Sequence, residues 1–247
     1  MNNIDPKIWG KSAWDTIFYF IIEYNPTEVQ KTNMRNFILI FGEMLPCNTC
    51  QNNYFENLKK FNFSDETLEN KKNVIDLFID IKNDISQQNK KNEKTTFEQI
   101  LRDHSPDTKN KNYHSEILKK STWDTIFYFT MAYPDLPNME HKKNMKNFIL
   151  ILAPILLRNE FKNNYFEILK KLNFSDKTLE NRKNVVELFI NIKKNINKNK
   201  ELNYGKILNK YFYYKNEENY SLEIIIFVIL FILLLLIIMY YLFKKKL

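Results

Sequence analysis

The chain has 247 residues, 44% of them hydrophobic, which is enough for one or two modest cores. Three glycines are too few for a phosphate-binding loop, which argues against a Rossmann or P-loop nucleotide-binding protein. The net charge of +8 comes mainly from lysines spread along the chain. We interpret it as a solvated surface that suits acidic lipid headgroups, and we expect no nucleic-acid partner.

Three short segments occur twice in the chain, in the same order. They are residues 14–20 and 123–129, residues 36–40 and 147–151, and residues 62–65 and 173–176. Such self-similarity indicates a tandem duplication. We therefore predict a first domain over residues 1–88, a polar linker over 89–117 and a second copy over 118–200.

Each copy is predicted to be all-α. In the first copy, apolar residues recur at helical spacing in three stripes. The stripes are Trp14, Ile17, Phe18, Ile21 and Ile22; Met34, Phe37, Ile38 and Phe41; and Val74, Leu77, Phe78, Ile81 and Ile85. Pro46 predicts the start of a further helix, and Ser64 with Asp65 predicts the start of the last one. The fold class is therefore two tandem four-helix-bundle repeats.

The stretch between the copies is polar from about residue 87 to 112, with a break at residues 105–107. This composition is typical of a linker. One short helix is compatible with it, around residues 97–101.

Cys47 and Cys50 are the two cysteines of the chain, and they form a Cys-x-x-Cys motif at the helix start predicted by Pro46. A helix dipole lowers the pKa of a thiol at its N-terminus, so the motif suits dithiol–disulfide chemistry. Half of a zinc site and a pair of structural thiols are the alternatives. We expect no metal site, because the three histidines lie in the linker or the second copy without paired spacing. Residues 156–162, the equivalent stretch of the second copy, contain no cysteine.

The last part of the chain predicts a membrane anchor. Residues 224–243 are apolar throughout, and 20 residues at about 1.5 Å each cross a hydrocarbon core. Tyr240 and Tyr241 suit the interface that follows. We predict a juxtamembrane segment over 201–221 and a transmembrane helix over 222–243. Because the first residues contain no secretory signal, we expect a single-pass, tail-anchored protein with both copies in the cytosol.

Four pieces of the first copy also match a known pattern in order and spacing. They are Trp-Gly-Lys-Ser-Ala-Trp at residues 9–14, Asn-Phe-Ile at 36–38, Leu-Pro-Cys-Asn-Thr-Cys at 45–50 and Asp-Ile-Lys-Asn-Asp-Ile at 80–85. Together they resemble the Erv/Alr family of FAD-linked sulfhydryl oxidases. The opening at residues 5–11 looks most like the poxvirus branch. The resemblance covers about residues 5–88, and the second copy repeats it without the cysteines.

The resemblance implies FAD as cofactor and a thiol oxidase mechanism. A substrate dithiol would attack Cys47 of the disulfide, and Cys50 would pass electrons to the flavin, which oxygen reoxidises with formation of hydrogen peroxide. The positions that the resemblance assigns to cofactor binding are Gly10, Lys11, Ser12, Trp14, Lys82 and Asn83. For Trp14, and more so for Trp123, simple core packing is the alternative.

The chain departs from the family pattern at three positions. Phe18 and Lys82 stand where the family usually has histidine, and Leu77 stands where it has tryptophan. The chain also lacks the shuttle dithiol and the structural disulfides of the cellular enzymes, so electrons must come from another protein. The resemblance implies a small dithiol relay protein, or the thiols of viral membrane proteins, as partner.

We therefore predict a viral FAD-dependent thiol oxidase, anchored in a host cytoplasmic membrane or the virion membrane and in contact with its lipid. Its second copy is expected to be inactive and to pack on the first as an internal pseudo-dimer, unless the first copy forms a homodimer between chains. The alternative is a non-catalytic, tail-anchored assembly or scaffold protein derived from an oxidase. The cysteine motif favours the enzyme, and the three departures favour the scaffold.

Overall fold

The computed structural model describes residues 3–88, 90, 94–104, 111–155, 159–197, 202–213 and 226–232. The regular elements within these ranges are helices, and none is a strand. The prediction of an all-α protein is therefore confirmed for this part of the chain. The chain divides into two compact units, residues 1–204 and residues 205–247.

The first half of the larger unit contains five α-helices. They are α1 (Pro6–Glu23), α2 (Glu28–Met44), α3 (Asn48–Lys60), α4 (Lys71–Gln88) and α5 (Phe97–His104), with a 3-10 helix at Glu66–Glu69 between α3 and α4. The side chain of Asp5 accepts a hydrogen bond from the backbone of Lys7 and caps α1, whose first residue is Pro6. Thr27 caps α2 in the same way through Gln30.

The second half of this unit has the same order of elements. They are α6 (Lys111–Ala132), α7 (Met139–Ile155), α8 (Asn159–Lys171), a 3-10 helix (Asp176–Leu179) and α9 (Arg182–Asn197). The helix α10 (Tyr204–Leu208) follows in the chain and continues into a π-helical turn (Asn209–Tyr213), and residues 226–232 are helical.

Two helix starts differ from the predictions. The helix predicted at Pro46 begins at Asn48, because Cys47 has an extended backbone and acts as the N-cap. Ser64 and Asp65 lead into the 3-10 helix and not into α4. The start of α4 is set by Asn70, whose side chain accepts a hydrogen bond from the backbone of Asn73 at 2.8 Å.

The predicted linker is partly folded onto the first bundle. Within residues 89–117, α5 packs against α1 and α4 and buries Ile100. It extends beyond the short helix expected at residues 97–101. The helix α6 also starts earlier than residue 118. The predicted break at residues 105–107 lies outside the described residues.

Aromatic side chains fill the core of the first bundle. Phe20 and Phe37 are buried, with ring centroids 5.1 Å apart in an edge-to-face arrangement. Two tyrosines are also buried, and each hydroxyl donates to a backbone carbonyl: Tyr24 to Leu68 at 2.6 Å and Tyr54 to Ile38 at 2.9 Å. These bonds satisfy the polar ends of otherwise apolar rings, as buried polar groups require.

The same two hydrogen bonds occur in the second half. The hydroxyl of Tyr133 donates to the carbonyl of Leu179 at 2.7 Å, and that of Tyr165 donates to the carbonyl of Ile149 at 3.0 Å. The sequence matches at residues 62–65 and 173–176 also share a backbone feature, since Asn62 and Asn173 both have a positive φ, 53° and 52°. Asparagine tolerates this left-handed conformation better than most residues.

The two halves of the larger unit pack through α1 with α6 and through α2 with α7. At the first contact, the hydroxyls of Thr16 and Thr125, which are equivalent in the repeat, lie 3.0 Å apart in a buried hydrogen bond. Between the halves, the rings of Phe41 and Phe129 lie 5.1 Å apart. The interface therefore combines aromatic packing with a buried pair of hydroxyls.

One buried hydroxyl on α6 carries a stability prediction. Thr122 is 6% exposed, and within the described part of the chain its hydroxyl has no hydrogen-bond partner. Burial of an unpaired hydroxyl costs free energy, and valine has the same shape without it. We expect Thr122→Val to raise the free energy of unfolding by about 1 kcal/mol in urea denaturation. Equal or lower stability would show that the hydroxyl is hydrated.

Of the predicted transmembrane segment, residues 226–232 are described, and the rest lies outside the described residues. In the described ranges, no helix combines the length and the apolar character that a membrane span needs.

Candidate functional site

The two cysteines form a disulfide at the start of α3. Cys47 and Cys50 are bonded, their Cα atoms are 5.1 Å apart, and both residues are partly exposed. The Sγ atom of Cys47 accepts a hydrogen bond from the backbone N–H of Cys50 at 3.2 Å. A thiolate at Cys47 would lie beside this N–H and the positive end of the helix dipole, which stabilise negative charge on sulfur.

The loop before the disulfide is fixed by residues that the sequence patterns did not indicate. The backbone of Ile4 donates to the carbonyl of Pro46 at 2.7 Å, and the backbone of Asn48 donates to Oδ1 of Asn3 at 3.1 Å. On its other side, the amide of Gln51 donates to the carbonyls of Glu43 and Leu45 at 2.8 and 3.0 Å. These contacts hold Cys47 in place without covering it.

Trp14 and Lys82, two of the residues predicted to bind the cofactor, both lie close to Phe18. The rings of Trp14 and Phe18 stack with centroids 5.9 Å apart, and Nζ of Lys82 lies 5.4 Å from the centre of the Phe18 ring. Trp14 is partly exposed, whereas Phe18 is fully buried. Trp14 therefore offers an aromatic surface, and Lys82 adds a cation beside it.

Three other residues of α1, Gly10, Lys11 and Ser12, were also predicted to bind the cofactor, and their surroundings differ. An added Cβ at Gly10 would meet no atom within 4 Å, so there is open space beside this residue. Lys11 is exposed and pairs with Asp15 at 2.8 Å. The hydroxyl of Ser12 already donates to the carbonyl of Trp9 at 2.8 Å, so it braces the helix.

Asn83 also uses its side chain within the protein. Its amide donates to the carbonyl of Thr95 at 3.0 Å and accepts from the backbone N–H of Thr95 at 2.7 Å. This pair of bonds ties the segment before α5 to α4. These bonds hold α5 on the bundle, and cofactor binding by Asn83 stays a prediction.

The residue types at this site fit FAD. FAD combines aromatic ring systems with two phosphates, and it needs aromatic surface, cations and space close to the backbone. Trp14 supplies the surface, Lys11 and Lys82 supply the cations, and Gly10 leaves space. These four residues would hold the cofactor.

An ionic pair between the buried His104 and the partly buried Asp15 lies next to the aromatic pair. His104 is 6% exposed, its ring centre is 5.6 Å from that of Phe18, and its Nε2 is 3.5 Å from Oδ1 of Asp15. Burial raises the pKa of Asp15, but the hydrogen bonds from His104 and Lys11 together lower it by more, so the net pKa lies below its ordinary value. No sequence pattern indicates the contact of His104 with Asp15, because the two residues lie far apart along the chain.

The second half keeps part of this arrangement. The rings of Trp123 and Phe127 lie 6.0 Å apart, and Nζ of Lys193 is 5.1 and 5.3 Å from their centres. Trp123 is buried, as expected from core packing. Residues 156–158, at the place of the cysteine motif, lie outside the described residues. Across the described ranges, no group of three or more histidine, cysteine or acidic residues could hold a metal ion.

Comparison with known proteins identifies relatives of this region. A protein of Acanthamoeba polyphaga mimivirus is 33% identical over 82 residues, which are 32% of this chain and 57% of that protein. A protein of Invertebrate iridescent virus 6 is 33% identical over 70 residues, or 28% of this chain and 63% of that protein. One of Invertebrate iridescent virus 3 is 28% identical over 86 residues, or 34% and 57%. The names of all three contain the words FAD-linked sulfhydryl oxidase.

The chain thus spans less than two thirds of the length of these viral relatives. The assignment to the poxvirus branch stays a prediction. Residues 11–113 match the Erv1 / Alr family, and this stretch contains the disulfide, the aromatic pair and α5. The cysteine-bearing part of the chain is therefore similar to the Erv1 / Alr family of sulfhydryl oxidases.

Proposed function

We propose that the protein is an FAD-dependent thiol oxidase that makes disulfide bonds. The observation that carries this proposal is the Cys47–Cys50 disulfide at the start of α3, within a stretch that matches the Erv1 / Alr family. The viral sulfhydryl oxidase names of the relatives support the same chemistry.

The cysteines exchange electrons with the substrate in two steps. A substrate thiolate attacks Sγ of Cys47, the Cys47–Cys50 bond breaks, and Cys50 leaves as a thiolate. The second substrate thiol then attacks the mixed disulfide, which releases the oxidised substrate and the thiol of Cys47. Bound FAD would supply the redox chemistry that takes up the two electrons and passes them to oxygen, forming hydrogen peroxide.

The substrate is proposed to be a dithiol protein, since the sequence has no further cysteine that could shuttle electrons. A small relay protein, or viral membrane-protein thiols, would fill this role. Because both cysteines are partly exposed, a partner can reach the disulfide.

We further propose that residues 118–200 are a second, inactive copy that takes the place of a partner subunit. The matching order of the helices, the recurring tyrosine hydrogen bonds and the Thr16–Thr125 contact support this internal pairing. The absence of cysteine from the second copy assigns the redox step to the first alone.

The direct test of the proposed function is FAD binding by the purified full chain. Titration of the chain, freed of bound flavin, should quench free FAD fluorescence and end at one FAD per chain. A chain that neither purifies with FAD nor binds added FAD would contradict the oxidase and favour the scaffold alternative.

A membrane anchor over residues 224–243 is also proposed, on the basis of its uninterrupted apolar sequence. The chain is expected to stay in the membrane pellet after alkaline carbonate extraction. As a control, Leu234→Lys with Leu235→Lys should release it, since each central lysine costs roughly 2.5–3.5 kcal/mol in insertion. Retention of this variant, or protection of the two copies from protease added to the cytosolic side, would contradict the proposed topology.

A further inference from the structure

A carboxylate on α1 joins three helices beside the proposed flavin site. Oδ2 of Asp15 lies 2.8 Å from Nζ of Lys11 and accepts a hydrogen bond from Oγ of Ser121 at 3.2 Å. Oδ1 lies 3.5 Å from Nε2 of His104. Lys11 belongs to α1, His104 to α5 and Ser121 to α6, so one side chain connects the two copies.

The same carboxylate orients His104 against the aromatic pair. The ring of His104 faces an acceptor on each side, because Nδ1 is 3.2 Å from the carbonyl of Ile100 and Nε2 faces Asp15. The ring of His104 also lies against Phe18, which stacks on Trp14. Asp15 therefore fixes Lys11 and the surroundings of Trp14 together.

Ser121 has a partner that its repeat equivalent lacks. Ser12, at the matching position of the first copy, donates to the carbonyl of Trp9 in its own helix. Ser121 instead donates across the interface to Asp15 and is 9% exposed. This hydrogen bond is partly buried, and hydrogen bonds to ionised carboxylates are among the stronger ones in proteins. The second copy thus supplies a donor to the first.

We propose that Ser121 and Asp15 are positioning residues of the cofactor site, so that the copy without cysteines helps the other copy to bind its flavin. This inference rests on the proposed function. Ser121 holds the carboxylate, and the carboxylate holds Lys11 and His104 in the geometry that receives an anionic, aromatic cofactor. The duplication then has a chemical role in addition to the packing of the interface.

The test compares FAD affinity among variants of the full chain by fluorescence titration, with circular dichroism to verify the fold. Ser121→Ala should weaken FAD binding about fivefold, somewhat less than the full loss of one hydrogen bond to a charged group. Ser121→Thr retains the hydroxyl and should bind within about twofold of the wild type. Thr122→Val is the matched control, because it removes the neighbouring buried hydroxyl that holds no carboxylate, and its affinity should be unchanged.

Asp15→Asn provides the second arm of the test. It should weaken FAD binding at least as much as Ser121→Ala, and the double variant should bind like Asp15→Asn alone, since the serine acts through the carboxylate. If Ser121→Ala loses its helicity, the Asp15→Asn and Ser121→Thr titrations decide the question.

The proposed oxidase function and the proposed role of Ser121 can be tested separately. If the wild-type chain binds FAD, and folded Ser121→Ala binds it as tightly as Thr122→Val does, the inference is wrong while the oxidase proposal stands. Additive losses in the double variant would also overturn the inference. If the wild-type chain binds no FAD, the proposed function fails and the inference falls with it.

Discussion

Cys50→Ser is expected to lower dithiol-dependent oxygen consumption to below about one hundredth of the wild-type rate, because no other thiol in the chain can complete the exchange. Cys47→Ser should have the same effect. The fold should survive both changes, since the disulfide closes a loop with a sequence separation of only 3 and constrains the unfolded chain little. Oxygen uptake with a small dithiol, together with circular dichroism, checks both points.

The two single variants should differ in what they trap. In Cys50→Ser, Cys47 remains as the thiol that the substrate meets first, so a mixed disulfide with an oxidised substrate should accumulate. In Cys47→Ser, the remaining thiol lies inside the first turn of α3 and should trap less. Equal trapping by both variants would contradict the proposed order of attack. Full activity of either variant would contradict the mechanism itself.

Phe129→Ala is expected to lower the free energy of unfolding by about 3–5 kcal/mol, the usual cost of removing a buried phenylalanine ring. Phe129 is fully buried, and its ring lies 5.1 Å from that of Phe41 in the first half and 5.5 Å from that of Phe148 in its own half. Because the ring touches both halves, both should lose stability together. Urea denaturation followed by circular dichroism measures the total change.

Phe166→Ala is the matched control for this prediction. Phe166 is 43% exposed on α8, so its removal should change stability by less than about 1 kcal/mol. Tryptophan fluorescence can follow each half when the tryptophans of the other half are replaced. Trp9 and Trp14 report on the first half, and Trp123 reports on the second. A Phe129→Ala variant in which only the second half unfolds earlier would show that the halves do not stabilise each other.

Local sequence patterns were sufficient to predict α1, α2 and α4 and most of the residues that they bury. Phe37 and Phe41 lie on a predicted stripe and are buried in the structure, because helical periodicity places them on one side of α2. The start of α3 could not be located in this way. Its N-cap depends on the extended backbone of Cys47 and on the distant side chain of Asn3, which no local pattern encodes.

The fifth helix shows the limit of composition as a guide. Its segment is polar, but two buried residues, Ile100 and His104, and the bidentate pairing of Asn83 with Thr95 attach it to the bundle. The hydrogen bond between Ser121 and Asp15 could not be predicted from the sequence either, because the two residues lie 106 positions apart. For the site, the sequence therefore indicated the cysteines and the residues near Trp14, while the contacts that position them arise only from tertiary packing.

The most direct test of the central claim, that the disulfide at Cys47 and Cys50 feeds electrons to bound FAD, is anaerobic reduction of the purified full chain. Addition of a dithiol without oxygen should bleach the visible flavin absorbance of the wild type, and readmission of oxygen should restore it. In Cys50→Ser, the flavin should remain bound and oxidised. Equally fast bleaching in Cys50→Ser, or a wild-type flavin that stays oxidised, would contradict the account.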